Sequence, residues 1–258
     1  MFRHDLANQR GVLRDGFRAS SANADYIVAL AGNPNTGKST VFNHLTGLNQ
    51  HTGNWAGKTV AQATGTYAHN GKRVLLVDLP GTYSLLSRSP EEEIARDFIC
   101  FADPDATVVV TDATCLQRHL NLVLQVIEMT PRVVVCLNLI DEAKRKGIEV
   151  DCARLSERLG IPVVPTAARN GYGLEQLKDC VEAVATGQLS PSPLEVRYPP
   201  TIERQIEAIE REIAPVLSGK LKPRWVALRL LDGDPSIVKS IERHLGERML
   251  DARKKVPA

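Results

Sequence analysis

The sequence has no strong excess of either charge, because 32 basic and 30 acidic residues leave a formal net charge of +2. This balance gives no electrostatic reason to expect binding to nucleic acid or to an anionic membrane. Long apolar runs are also missing, and the longest, such as VVVCL at 133–137, fall far short of the ~20 residues that cross a bilayer. Residues 1–20 mix charged and polar residues throughout, which is not typical of a signal peptide. We therefore expect the chain itself to be soluble.

Cysteine is scarce and scattered. The five cysteines stand at 100, 115, 136, 152 and 180, with no C-x-x-C pair. An odd set of this kind, mostly in apolar stretches, is typical of reduced thiols in a cytosolic protein and disfavours a disulfide framework or a structural metal site. The apolar fraction of 43% over 258 residues is enough to bury a core without such cross-links.

From residue 26 onward, short apolar runs alternate with helical stretches. Strands are predicted at 26–32, 60–67, 72–78, 106–112, 132–138 and 161–166, and helices after Ser89-Pro90, at 116–130 and at 173–186. The strand at 60–67 should turn through 69–71 and pair antiparallel with 72–78. The alternation predicts an α/β fold, with a mainly parallel sheet, one antiparallel edge strand and helices on both faces.

The pattern changes after Gly187. Residues 190–200 are rich in proline, and they are followed by an apolar stripe at helical spacing over 202–213 and by two further helices near 222–231 and 236–246. We therefore predict a flexible lead over 1–24, a nucleotide-binding domain over 25–187 and a small all-helical domain over 188–258. The helical part carries no chemistry that its sequence reveals.

The stretch GNPNTGKS at 32–39 matches the phosphate-binding pattern G-x-x-x-x-G-K-[ST], between a predicted strand and a predicted helix. Its glycines allow the backbone N–H groups to surround a phosphate, and the helix N-terminus adds partial positive charge. Lys38 is expected to bridge the β- and γ-phosphates, and Ser39 to ligate Mg²⁺. The nucleotide-binding residues predicted here are Asn33, Asn35, Thr36, Gly37, Lys38, Ser39 and Thr40.

Three further motifs follow in order. Asp78 begins a D-x-x-G turn, in which the carboxylate is expected in the magnesium shell and the Gly81 N–H on the γ-phosphate. In NLID, the stretch that includes Asn138, the carboxylate of Asp141 can accept two hydrogen bonds that guanine offers and adenine does not. Thr166 and Ala167 follow the next strand, and the Ala167 N–H is a candidate donor to guanine O6. Together these motifs predict a P-loop GTPase fold that binds GTP or GDP.

The motifs GNPNTGKST (32–40), HTGNWAGKTV (51–60), DLPGTYSL (78–85) and NLID resemble the amino-terminal region of the ferrous iron transport protein B family. The resemblance implies that Gly57 and Thr59 belong to the first switch, with Thr59 a γ-phosphate sensor and Mg²⁺ ligand. It also implies a slow GTPase on the cytoplasmic face of the bacterial inner membrane, whose cycle regulates Fe(II) uptake and whose helical domain tunes nucleotide release. The expected partner is the protein's own transmembrane region; no nucleic acid is expected, and a homo-oligomer remains open.

Thr82 stands where most small GTP-binding proteins have the glutamine that positions the attacking water. Three replacements are open: an arginine from a partner, water held by the switch backbone through Thr59 and Gly81, or a monovalent cation. Asn35 favours the cation, since its carbonyl is a hard oxygen ligand, and the family resemblance also points to K⁺. On this hypothesis the catalytic residues are Lys38, Thr59, Gly81 and Asn35. The alternative for Asn35 is that it only satisfies a tight loop.

Two other functions share these motifs. One is a soluble GTPase of ribosome assembly or tRNA modification, although residues 190–258 offer neither a basic face nor a G-x-x-G loop. The other is an adaptor that binds nucleotide without hydrolysis, against which the intact Lys38, Ser39, Thr59 and Asp78 argue. An RNA pull-down tests the first function, and phosphate release from GTP tests the second.

Overall fold

The structure is a computed structural model that describes residues 24–47, 50–55, 59–86, 89–217, 219 and 221–245. The predicted lead over 1–24 therefore lies almost wholly outside the described residues. The strands are β1 (Tyr26–Gly32), β2 (Gln50–Asn54), β3 (Ala61–His69), β4 (Lys72–Asp78), β5 (Ala106–Asp112), β6 (Val133–Asn138) and β7 (Val163–Pro165).

These strands form one sheet in the order β2-β3-β4-β1-β5-β6-β7. The pairs from β4 to β7 are parallel, while β3 is antiparallel to both β4 and β2. The fold class predicted from the sequence is confirmed, with an addition at one edge. The antiparallel strand β3 is not the edge, because β2 lies beyond it. The sequence did not reveal β2, since QHTGN lacks apolar alternation and residues 51–54 are all exposed.

The helices cover both faces of the sheet. They are α1 (Lys38–Thr46), α2 (Pro90–Phe101), α3 (Leu116–Met129), α4 (Ile140–Arg145), α5 (Cys152–Leu159), α6 (Leu174–Ala185), α7 (Pro200–Leu217), α8 (Pro223–Leu231) and α9 (Pro235–Leu245). At the predicted start of α2, the Ser89 hydroxyl accepts from the Glu92 N–H at 3.2 Å. Helices α4 and α5 were not predicted from the sequence, because they are short and bury only Ile140, Ala143 and Leu159.

Strand β1 shows why the sheet is covered twice. Ile27, Ala29 and Ala31 lie in one apolar cluster with α2 and α3, and Val28 and Leu30 lie in the other with α1 and α6. Successive strand residues point to opposite faces, so a continuous apolar run is buried on both sides. The buried face of the carboxyl-terminal helices, including Ile206, Trp225 and Ile237, joins the first cluster. Among the described residues, no helix has the length and apolar character needed to span a bilayer.

A buried arginine joins α2 to α9. The Arg96 side chain is fully buried, and its guanidinium donates to Ser236 Oγ at 2.6 Å and to Ser240 Oγ at 2.7 Å. It also pairs with Asp97 at 2.7 Å and lies 3.6 Å from an Asp234 carboxylate oxygen. The His244 ring stacks on Phe101 beside this cluster, with 4.5 Å between ring centroids. The carboxyl-terminal helices are thus held to the helix that follows the D-x-x-G segment.

Replacing Arg96 with methionine should destabilise the chain strongly. The change leaves the Asp97 and Asp234 carboxylates without their buried cation, and breaking a buried pair on one side costs roughly 3–5 kcal/mol. Equilibrium urea unfolding followed by circular dichroism measures the loss. Arg211→Met, on the exposed face of α7, is the matched control and should leave the midpoint nearly unchanged. Equal midpoints for the two variants would contradict this account of the interface.

Candidate functional site

The predicted motifs meet at one edge of the sheet. Because β4, β1, β5, β6 and β7 are parallel, their carboxyl ends lie together. The phosphate-binding loop follows β1, Asp78 ends β4, Asn138 ends β6, and Thr166 follows β7. Ligands of open α/β sheets bind outside this edge, so the topology alone brings four distant motifs to one place.

The phosphate-binding loop has the backbone that its sequence requires. Asn35 and Gly37 both have left-handed backbones, with φ of 66° and 80°. The Thr36 hydroxyl donates to the Asn33 carbonyl at 2.9 Å and closes the loop on itself. A Cβ on Gly37 would lie 2.4 Å from Asn138 Nδ2, so only glycine fits there. Asparagine tolerates the left-handed region well, so the geometry of Asn35 suits both a tight loop and an outward-facing ligand.

Lys38 and Asp78 contact each other directly. The Lys38 ammonium donates to a carboxylate oxygen of Asp78, and to the Leu79 carbonyl at 2.8 Å. Burial raises the pKa of the Asp78 carboxyl, and the neighbouring Lys38 lowers it in part. The Lys38 ammonium and the Asp78 carboxylate, which are expected to hold phosphate and magnesium, therefore neutralise each other at this edge of the sheet. The Lys38 ammonium has three N–H donors, so bridging two phosphate oxygens would require it to give up at least one of these contacts.

Asn138 connects the phosphate-binding loop to the segment after β7. Its Nδ2 donates to the Thr36 carbonyl at 2.9 Å. Its Oδ1 accepts from the Thr166 hydroxyl at 3.2 Å and from the Ala168 N–H at 3.0 Å. Asn138 itself is only 1% exposed, so these bonds fix the loops rather than contact solvent. The sequence did not reveal the part played by Ala168, which lies one residue beyond the predicted contact.

The candidate base-binding residues lie beside this connection. Asp141 stands in the first turn of α4, a helix that begins directly after Leu139, whose φ of 62° is unusual for a leucine. The Ala167 N–H donates to the Tyr172 carbonyl at 3.1 Å. If that amide is to bind guanine O6, it must first give up this bond. The assignments of Asp141 and Ala167 stay predictions.

The D-x-x-G turn lies against the phosphate-binding loop. The Thr82 N–H donates to the Gly32 carbonyl at 3.2 Å, and the position of a Cβ on Gly81 would be 3.6 Å from the Pro34 ring. Thr82 is only 5% exposed. The Thr82 side chain therefore has little contact with solvent at this edge of the sheet.

The first switch is described only in part. Gly57 lies outside the described residues, and Thr59 is exposed. Trp55, by contrast, is buried with its ring edge against Phe98, at 5.7 Å between centroids. It therefore packs in the core in this structure.

The residues predicted for metal binding offer the right atoms. Ser39 and Thr59 carry hydroxyls, and Asp78 carries a carboxylate, which are the hard oxygen ligands that Mg²⁺ prefers. Burial raises the pKa of Asp78, and the ionised form that a magnesium ligand would need becomes more favourable as pH rises. Ser39 and Asn35 are both exposed at the loop, where they can reach a ligand. The donor set fits Mg²⁺, with Asn35 available for a monovalent cation.

Comparison with protein families gives matches over both halves of the chain. A model described as "Ferrous iron transport protein B" matches residues 26–181. A second, described as "FeoB cytosolic helical domain", matches residues 198–257.

Individual relatives agree with these matches. The Fe(2+) transporter FeoB of Salmonella typhimurium is 39% identical over 80% of this chain, which spans only 27% of that protein. A structure of the cytosolic domain of T. maritima FeoB in a GDP form is 36% identical with a TM-score of 0.77, and the match covers 91% of this chain and 96% of that one. The same domain in its GMPPNP form gives 36% identity and a TM-score of 0.77, over 90% and 96% of the two chains.

Replacing Gly37 with alanine should abolish tight nucleotide binding. The added Cβ collides with Asn138 Nδ2 and breaks its bond to Thr36, so we expect GDP affinity to fall by at least about tenfold, or ~1.4 kcal/mol. Isothermal titration calorimetry with GDP in the presence of Mg²⁺ measures the GDP affinity. Gly47→Ala is the matched control, because Gly47 also has a positive φ but its Cβ would meet nothing within 4 Å. If both variants bind GDP like the unmodified chain, the close approach of Gly37 and Asn138 does not matter for binding.

Proposed function

The chain belongs to the ferrous iron transport protein B family, and we propose that it hydrolyses GTP to regulate the ferrous iron transporter of which it forms part. The observation that carries this proposal is the meeting of the four motifs at one sheet edge, joined by Asn138. A phosphate loop, two hydroxyls and a carboxylate suited to magnesium, and a carboxylate suited to guanine are what a GTPase site requires.

The proposed binding mode assigns each residue one task. The loop N–H groups from Asn33 to Thr40 and the Lys38 ammonium hold the phosphates, while Asp141 reads the guanine edge. Ser39, Thr59 and Asp78 would hold Mg²⁺, which supplies charge neutralisation between the β- and γ-phosphates. Gly57, Thr166 and Ala167 complete the predicted contacts. For Lys38 to bridge two phosphates, it would give up its contact with Asp78, with Leu79 or with both.

Hydrolysis then has to proceed without a side chain from Thr82. The Gly81 N–H and the backbone of the first switch near Thr59 are the groups proposed to hold the γ-phosphate and the attacking water. Asn35 would hold K⁺, whose charge substitutes for that of an arginine. The exposed position of Asn35 and its left-handed backbone support this role. A slow intrinsic rate is expected, because a switch is regulated rather than fast.

The rest of the transporter lies outside this chain, which spans 26–27% of the length of the first curated relatives. We propose that those further residues form the transmembrane path for Fe(II), and that this chain works at the cytoplasmic face of the inner membrane. Fe(II) is then cargo rather than a resident cofactor, and a homo-oligomer remains open. The match of residues 198–257 to the family's own helical domain counts against a GTPase of ribosome assembly or tRNA modification, and no nucleic-acid partner is proposed.

Potassium should accelerate GTP hydrolysis, and Asn35 should be required for it. We expect the unmodified chain to turn over at least about tenfold faster in KCl than in NaCl of equal ionic strength, a difference of ~1.4 kcal/mol in the barrier. Asn35→Ala should abolish that difference. Asn70→Ala is the matched control, since Asn70 is also exposed with a positive φ but lies in the β3–β4 turn. The rate of phosphate release from GTP is measured for the unmodified chain and for both variants in each salt.

An Asn35→Ala variant that hydrolyses GTP as fast as the unmodified chain and keeps the same response to potassium would overturn the cation hypothesis. Equal and very slow rates in both salts for the unmodified chain would instead point to an arginine from a partner. No phosphate release under any condition would favour the nucleotide-binding adaptor.

A further inference from the structure

The D-x-x-G segment is held by two different parts of the molecule. Up to Thr82 its backbone is hydrogen-bonded to β1. The Leu79 N–H donates to the Leu30 carbonyl at 3.0 Å, and the Thr82 N–H donates to the Gly32 carbonyl at 3.2 Å. Beyond Thr82 the segment is contacted by helix α3. Its continuation, residues 83–86, is called the switch tail here.

A glutamine from α3 holds the switch tail. The Leu85 N–H donates to Gln125 Oε1 at 2.7 Å, across 40 residues of sequence. Leu85 is 3% exposed, so its N–H is shielded from water and needs a partner from the protein. Gln125 supplies that partner, and a backbone group of the switch tail is thereby fixed by a side chain from outside the segment.

A second contact comes from the same helix. The Arg118 guanidinium lies over the Tyr83 ring, 4.8 Å from its centroid. Residues 118 and 125 are seven apart and so lie on the same side of α3. One face of this helix therefore contacts the switch tail at two residues.

The carboxyl end of α3 contacts the helical region. The Lys222 ammonium donates to the Ile127 carbonyl at 2.9 Å, and the Tyr198 hydroxyl lies 3.5 Å from a carboxylate oxygen of Glu128. The position of α3, and with it Gln125, is thus set by the sheet on one side and by residues after 187 on the other.

We propose that Gln125 is a positioning residue for GTP hydrolysis, acting through the Leu85 N–H on the backbone of the D-x-x-G segment. The inference rests on the proposed function. On the proposed function, the Gly81 N–H acts with the first-switch backbone to hold the γ-phosphate and the water, and a misplacement of about 1 Å can cost on the order of 10²-fold in rate. The bond at Leu85, four residues further along, limits how far the backbone at Gly81 can move.

Two substitutions at one position separate positioning from packing. Gln125→Leu keeps a side chain of similar size but removes the acceptor, while Gln125→Glu keeps an acceptor oxygen at the same distance along the side chain. Gln117→Leu, on the exposed side of α3, is the matched control for placing a leucine on this helix. We expect Gln125→Leu to lower kcat by at least ~10-fold with KM and GDP affinity changed by less than ~2-fold. Gln125→Glu and Gln117→Leu should behave like the unmodified chain.

A second measurement does not depend on catalysis. Hydrogen exchange of the Leu85 amide, followed by mass spectrometry of peptides that cover residues 82–86, should be at least ~10-fold faster in Gln125→Leu and unchanged in Gln125→Glu. Unfolding midpoints of the same variants show whether a change in kcat follows the switch tail or overall stability.

The outcomes of these experiments either support or overturn the proposed role of Gln125. Loss of kcat and faster Leu85 exchange in Gln125→Leu, with both restored in Gln125→Glu, supports the proposal. Equal kcat in Gln125→Leu and Gln117→Leu overturns it, and so does a joint fall of kcat, GDP affinity and unfolding midpoint that Gln125→Glu does not reverse. If the unmodified chain releases no phosphate, the proposed function fails, whereas unchanged Leu85 exchange in Gln125→Leu overturns the role of Gln125 alone.

Discussion

The hydrogen bond from Asn138 Nδ2 to the Thr36 carbonyl holds the candidate site together. It joins the loop after β1 to the end of β6, two strands away in the sheet, and the same side chain accepts bonds from Thr166 and Ala168. Because Asn138 is buried, each bond is shielded from water, and losing one would leave a polar group without a partner, at roughly 1–3 kcal/mol. The glycine at 37 follows from this bond, since no Cβ fits beside the asparagine amide. Buried hydrogen bonds thus join the predicted phosphate-binding segment to the predicted base-binding segment.

The groups around this connection are paired with other parts of the protein. Lys38 contacts Asp78 and the Leu79 carbonyl, so a Lys38 that bridges two phosphates would have to give up at least one of these contacts. The switch segments are tied to the helices instead: Trp55 packs against Phe98 of α2, and Leu85 is bonded to Gln125 of α3. Arg96 joins α2 to α9, and Lys222 reaches the end of α3. Any movement of the switches on GTP binding therefore works against helices that also carry the carboxyl-terminal region.

The sequence predicted the structural elements whose residue types have one common structural role. Buried strands showed as apolar runs, the start of α2 showed as Ser89-Pro90, and the phosphate loop showed as spaced glycines. Strand β2 and the helices α4 and α5 were not predicted, because each is short and few of its side chains are buried, so the apolar pattern is too brief to identify the element. The contact of Gln125 with Leu85 also leaves no signal, since a helical glutamine is compatible with many partners. The pairing of Lys38 with Asp78 depends on the distance between two loops, which a linear pattern does not encode.

We expect GTP hydrolysis at this site to proceed without the Thr82 side chain, although Thr82 stands where the usual glutamine acts. The most direct test is kcat for GTP hydrolysis by Thr82→Val, which keeps the branched shape in its buried position and removes only the hydroxyl. We predict a kcat within about twofold of the unmodified chain, because the water is placed by backbone groups and the cation. A fall of more than about tenfold, with GDP affinity unchanged, would show that the hydroxyl acts on the water and would contradict the account.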